Sequence, residues 1–213
     1  PDEATLCMAP LCALGLGNDL EQSTVSSRLP RTAHAHPGSF DETAFRGVDA
    51  RAATDPALGV LAAISEGLGK VHAPELDRYG LSTRDRITSR SGHPLKALAD
   101  RVAGVFGPLE FDIYLHRAHQ GGLEIEFTEP PGILVPAHVT TLRESEQIFL
   151  FGRPLALLAR GAHAVQRLAP AEIALLLISA ARVLEPTFGT GFADDDFLAL
   201  QTKRVQKSLS RRA

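Results

Sequence analysis

The hydrophobic period of this chain changes twice, and that change constrains the fold more than any other feature. Between residues 111 and 135 apolar residues alternate with polar ones, which is typical of strands with one buried face. Before and after this segment the apolar residues recur at helical spacing. No internal repeat is visible, so a solenoid is excluded. The order of helices, strands and helices predicts one α+β domain.

The alternating segment predicts a small sheet of about three strands. The strand patterns cover residues 111–115, 123–127 and 133–135. Gly121 and Gly122 predict a turn between the first two, and the Pro/Gly-rich residues 129–132 predict the next turn.

Five or six helices are expected to pack around this sheet, in a domain that spans residues 55–213. Asp55 followed by Pro56 is a helix start, and the apolar stripe continues to Leu68. His93 and Pro94 begin a second helix. Residues 82–85 resemble a capping box. Further helices are predicted at roughly 143–160, 171–184 and 195–210.

Residues 1–54 form an N-terminal extension in this prediction. From Asp19 to Arg51 the chain is rich in Ser, Thr, Gly, Pro and Arg and has no sustained apolar period, so we expect a disordered or loosely packed linker. Residues 6–16 are apolar enough for a short helix. Because the chain starts at Pro1 without an initiator Met, we expect it to be part of a longer protein.

Composition excludes several classes of protein. The 213 residues are 44% hydrophobic with a formal net charge of -3, and no stretch approaches the roughly 18 to 20 apolar residues of a membrane-spanning helix. Cys7 and Cys12 are too few for a disulfide scaffold or a four-thiolate zinc site. We predict a cytoplasmic protein without a membrane partner and without a cofactor.

Motifs for nucleotide and serine chemistry are missing from the sequence. It contains no Gly-x-x-x-x-Gly-Lys loop, no Gly-x-Gly-x-x-Gly after a strand and no Gly-x-Ser-x-Gly elbow. Three consecutive aspartates, residues 194–196, are interpreted as a helix cap and first turn rather than a cation site. The basic residues 203–213 lack interleaved aromatics, which disfavours nucleic-acid binding.

Histidines provide one catalytic alternative. His116 and His119 flank the end of the first predicted strand, and His138 or His163 is available as a third nitrogen ligand. With Glu124 or Glu126 as base, such a site would run metal-assisted hydrolysis. The competing interpretation is that these imidazoles are ordinary surface groups at strand ends.

The order of elements between residues 111 and 185 resembles the core of zincin metallopeptidases, in particular the heat-shock and CAAX-protease-like families. The resemblance implies that the strand 132–135 binds extended substrate at the edge of the active site. It also implies that the next helix carries His-Glu-x-x-His. A third ligand would correspond to Glu172 or Glu185.

The position of that motif is occupied here by Gly152-Arg153-Pro154-Leu155-Ala156. Glycine and alanine offer no lone pair to zinc, and arginine cannot serve as a general base. The resemblance therefore implies a non-catalytic, peptidase-like pseudoenzyme with a structural or protein-interaction role in a larger bacterial protein. Its partner would be another protein or adjacent domains of the same polypeptide.

Two consequences for side chains follow from this hypothesis. Gly152 and Ala156 are free to act as small helix-packing residues. Arg153 becomes a candidate interaction residue, with its guanidinium in a groove and paired with Glu126 or Glu129. The metal-dependent hydrolase with His116, His119 and His138 is the alternative function.

Overall fold

The computed structural model describes residues 3–13, 15–28, 38, 40–48, 54–117 and 122–209. By its internal contacts the chain divides into two compact units, residues 1–36 and 37–213. The first unit contains helices α1 (Glu3–Ala13) and α2 (Asp19–Arg28), which pack against each other. In the described part of the chain, no helix has the length and apolarity required to cross a membrane.

The second unit is an α+β domain, as predicted. Among its described residues, the α-helices are α3 (Glu42–Val48), α4 (Pro56–Ile64), α5 (Leu68–Val71), α6 (Pro94–Ala103), α7 (Glu144–Ala159), α8 (Ala164–Arg167), α9 (Pro170–Ala181) and α10 (Asp195–Ser208). Short 3-10 helices cover Ser65–Gly67, Leu76–Tyr79, Thr83–Asp85, Ser89–Ser91 and Ala137–Thr141. The helices predicted at 143–160, 171–184 and 195–210 correspond to α7, α9 and α10.

A four-stranded mixed sheet lies within this unit. Its strands are β1 (Arg86–Ile87), β2 (Asp112–His116), β3 (Glu124–Glu126) and β4 (Gly132–Pro136), in the order β1-β2-β4-β3. β4 runs parallel to β2 and antiparallel to β3, whereas β1 is antiparallel to β2. The sequence predicted three strands and missed β1.

Alternate residues of β4 face two separate packing layers. Ile133 and Val135 belong to a core formed with α6 and α7, in which Phe151 and Leu155 of α7 are fully buried. Leu134 faces the opposite side of the sheet and packs with Leu76 and Tyr114. Another cluster joins α4, α5, α8, α9 and α10 around Phe127.

The predicted helix caps are present. The Asp55 side chain accepts from the amide of Ala57 at 2.8 Å, and Asp194 accepts from the amide of Phe197 at 3.0 Å. Ser82 and Asp85 form the predicted capping box. These contacts satisfy helix amides that have no partner within the helix, and they explain the aspartate run as a helix start.

Two described helices, α2 and α3, lie within the predicted N-terminal extension, and α3 belongs to the second unit. There the Phe40 ring packs edge-on against Phe106 at 5.7 Å. β4, which contains residues 132–135, is paired with a strand on both sides.

Gly152 does not act as the close-packing residue that the sequence suggested. A Cβ atom added there meets no atom within 4 Å. Ala156 is half-buried and lines an apolar groove between α4 and α7. Glycine at position 152 therefore lowers the helix propensity of α7 without allowing a closer helix contact.

Replacing Gly152 with alanine is expected to raise the free energy of unfolding by about 0.5–1 kcal/mol, because alanine restricts the unfolded chain and fits the open space. Urea denaturation measures the change. Gly161→Ala is the matched contrast, since Gly161 has φ +61° and a Cβ there would lie 2.7 Å from Cα of Ala62. That variant should be destabilised; a destabilised Gly152→Ala protein would contradict the interpretation.

Candidate functional site

A cleft of about 410 Å³ lies beside the edge strand β3 and is lined by several charged side chains. We call it the charged cleft. Its lining residues are Glu75, Arg78, Tyr79, Gly122, Leu123, Glu124, Ile125, Glu126, Leu134, Arg153, Gln166 and Arg167. They come from the 3-10 helix Leu76–Tyr79 and its flank, from β3 and β4, and from α7 and α8.

The Glu126–Arg167 ion pair is the most buried polar element of the charged cleft. The Glu126 side chain is 4% exposed and the Arg167 side chain 19% exposed, with Nη1 of Arg167 in contact with Oε1 of Glu126. The same Glu126 oxygen accepts from the amide of Phe127 at 2.8 Å. Burial lowers the pKa of the Arg167 guanidinium, and nearby Glu75 opposes that shift. The pair fixes α8 against β3.

Most of the other charged groups in the cleft also have a partner. The Glu75 carboxylate lies 3.6 Å from both Arg78 and Arg167. The Tyr79 hydroxyl donates to Oε2 of Glu124 at 2.5 Å. Burial and this hydrogen bond raise the pKa of Tyr79, so the phenol remains a donor at neutral pH.

Arg153 differs from these groups. It is exposed and lines the charged cleft, as a groove-facing guanidinium was expected to do. Within the part of the chain that the structure describes, it forms no ion pair with a carboxylate. The expected pairing with Glu126 or Glu129 is wrong: Glu126 pairs with Arg167, and Glu129 lines a different cavity.

The outer side of β3 is partly covered. Nε2 of Gln166 in α8 donates to the carbonyl of Leu123 at 2.7 Å, immediately before β3 begins. The Oε1 atom of Gln166 is buried and has no hydrogen-bond partner among the described residues. A ligand in the charged cleft therefore meets side chains first, rather than a free strand edge.

The candidate metal histidines do not form a complete ligand set in the described residues. His116 is buried, its ring lies 4.9 Å from that of Tyr79, and burial lowers its pKa. His138 is exposed in the 3-10 helix Ala137–Thr141, and His119 lies outside the described residues. Where the structure describes the chain, no group of three or more His, Cys, Asp or Glu residues can hold a metal ion.

Residues 152–156 lie in the middle of α7, the helix that follows β4. Pro154 and Leu155 are buried, whereas Arg153 is exposed and lines both the charged cleft and the apolar groove between α4 and α7. The side chains presented at this position are thus a guanidinium and apolar groups. Such a set has no affinity for zinc.

Sequence reasoning missed Arg167, Gln166 and Tyr79. Arg167 and Gln166 stand in a short helix that gives no periodic signal, and each meets β3 across a long stretch of chain. The alternating pattern that contains Glu124 and Glu126 was visible in the sequence, but it could not identify the partners of these carboxylates.

Comparison of the chain with protein-family models, with curated proteins and with solved structures gives no match in any of the three.

Proposed function

We propose that the α+β domain is a non-catalytic, peptidase-like module that binds a protein partner through the charged cleft. In this proposal Arg153 receives a carboxylate of the partner. The supporting observation is that Arg153 is an exposed guanidinium lining a cleft whose other arginines already have carboxylate partners.

The chemistry of the guanidinium suits this role. Arginine presents planar paired N–H donors that match a carboxylate, and such charge-assisted bonds are stronger than neutral ones. Arg167 is held by the buried Glu126, and the exposed Arg78 lies 3.6 Å from Glu75, so each of these arginines already has a carboxylate beside it. Arg153 forms no such ion pair within the described residues, so its donors are available to a carboxylate of the partner. The ligand class is therefore an acidic side chain or a chain-terminal carboxylate.

The residues at the position of the expected His-Glu-x-x-His motif support the proposal that the domain is non-catalytic. The residues at this position of α7 supply neither zinc ligands nor a general base. Leu155, at the same position, contributes to the core instead. In this proposal the charged cleft beside the sheet is the binding groove, and Arg153 is its binding side chain at the position where the resemblance implies a catalytic glutamate.

Binding of a short fluorescein-labelled oligoglutamate peptide tests the proposal. We expect the fluorescence anisotropy of the peptide to increase on titration with the protein at low salt. The affinity should fall about tenfold in Arg153→Glu and should be retained in part in Arg153→Lys. Arg90→Glu is the control, since Arg90 is exposed outside the cleft. Equal binding by wild type and Arg153→Glu, or zinc-dependent cleavage of peptide substrates, would overturn the proposal.

A further inference from the structure

A second cavity, of about 630 Å³, has a different chemical character from the charged cleft. It is formed where residues 65–69, the loop before β2, the turn between β3 and β4, and the end of α7 come together. We call it the acidic cavity. Three prolines in its wall, Pro108, Pro130 and Pro131, restrict the backbone around it.

The rim of the acidic cavity carries uncompensated negative charge. Glu66, Glu110 and Glu129 are exposed, and no lysine or arginine is among the lining residues. Within the described residues these three carboxylates form no ion pair. Like charges around a concave, partly apolar wall produce a negative potential that favours a cation.

The wall beneath the rim combines apolar side chains with the hydroxyl groups of Ser65 and Thr128 and with one imidazole. Leu68 and Phe127 are each 1% exposed, and Leu158 adds a further apolar contact. His163, 3% exposed, lines the same cavity, and its Nδ1 atom has no hydrogen-bond partner among the described residues. In the tautomer that leaves Nδ1 unprotonated, this atom is a buried acceptor without a donor.

We propose that the acidic cavity binds an ammonium group carried on an aliphatic stem. The carboxylates attract the cation, the stem lies along Leu68, Phe127 and Leu158, and the imidazole supplies an acceptor for an N–H donor. An ammonium has three donors and no acceptor, so it complements this set of groups. Two sources share this chemistry, a free diamine or polyamine and a lysine side chain of another protein.

The test is isothermal titration calorimetry of the whole chain with cadaverine, spermidine and a capped lysine tripeptide. Pentanol is the uncharged control. We expect at least one amine to bind with a Kd below about 1 mM and pentanol not to bind. Binding of a free amine alone identifies a small-molecule site, whereas binding of the tripeptide alone identifies a lysine site. Absence of amine binding, or equal binding of pentanol, would overturn the proposal.

Variants locate the site. Glu110→Gln and Glu129→Gln should each weaken amine binding about twofold to fivefold and keep the fold, because both carboxylates are exposed. Glu185→Gln is the matched control, since Glu185 is an exposed carboxylate that does not line the cavity. The same affinity in wild type and in the Glu110→Gln/Glu129→Gln double variant would exclude this cavity as the binding site.

Discussion

Replacing Arg167 with alanine is expected to lower the free energy of unfolding by about 3–5 kcal/mol. The change leaves the Glu126 carboxylate, 4% exposed, without its cation in the interior. It also removes the guanidinium from above the Phe127 ring, 4.8 Å from its centroid. Chemical denaturation monitored by circular dichroism measures the loss.

Two further variants separate the buried charge from lost packing. The Glu126→Gln/Arg167→Met double variant removes both charges and fills the space, so it should recover much of the lost stability. Arg101→Ala breaks an ion pair with Glu144 in which both side chains are more than half exposed, and it should cost at most about 1 kcal/mol. If Arg167→Ala costs no more than Arg101→Ala, the pair does not hold α8 on β3.

Local chemistry made part of this fold predictable. The caps at Asp55, Asp194 and Ser82 are side chains that accept hydrogen bonds from backbone amides two or three residues further along the chain. Because both groups are so close in the sequence, the sequence alone predicts these caps. The long helices were predictable for the same reason. Their apolar stripes repeat over several turns, and their limits differ from the prediction by only a few residues.

Strand order was not predictable in this way. β4 lies between β2 and β3 although it follows both in the chain, and no local pattern distinguishes a central from an edge position in a short strand. β1 has only the two residues Arg86–Ile87, too few to show alternation. These features depend on contacts between distant segments.

The candidate site was predictable only in part. Arg153 could be singled out because the resemblance suggested by the sequence would put a catalytic glutamate at its position, and an arginine there is a clear chemical contrast. Its position in a groove agrees with that expectation. The partner of Glu126 was not predictable, because Arg153 and Arg167 are equally good cations in a sequence. The choice between them depends on the packing of α8 against β3.

The loss of folding stability at acidic pH should depend strongly on His163. Burial lowers the pKa of His163 from 6.5 to about 4, so between these pH values the unfolded chain binds a proton that the folded chain excludes. Stability therefore rises with pH across this window. The contribution is complete above pH 6.5 and is lost as the pH falls toward 4, with a total on the order of 3 kcal/mol.

The measurement compares unfolding free energies at several pH values for wild type and for His163→Phe. Other titrating groups, including His72 and His116 with pKa values lowered by burial, are present in both proteins and cancel in the difference. Wild type should lose more stability than His163→Phe on acidification, and His163→Gln should behave like His163→Phe because glutamine does not titrate. Parallel pH profiles for the three proteins would show that His163 is protonated equally in the folded and unfolded chains, and its burial beside Phe127 would then have no electrostatic cost.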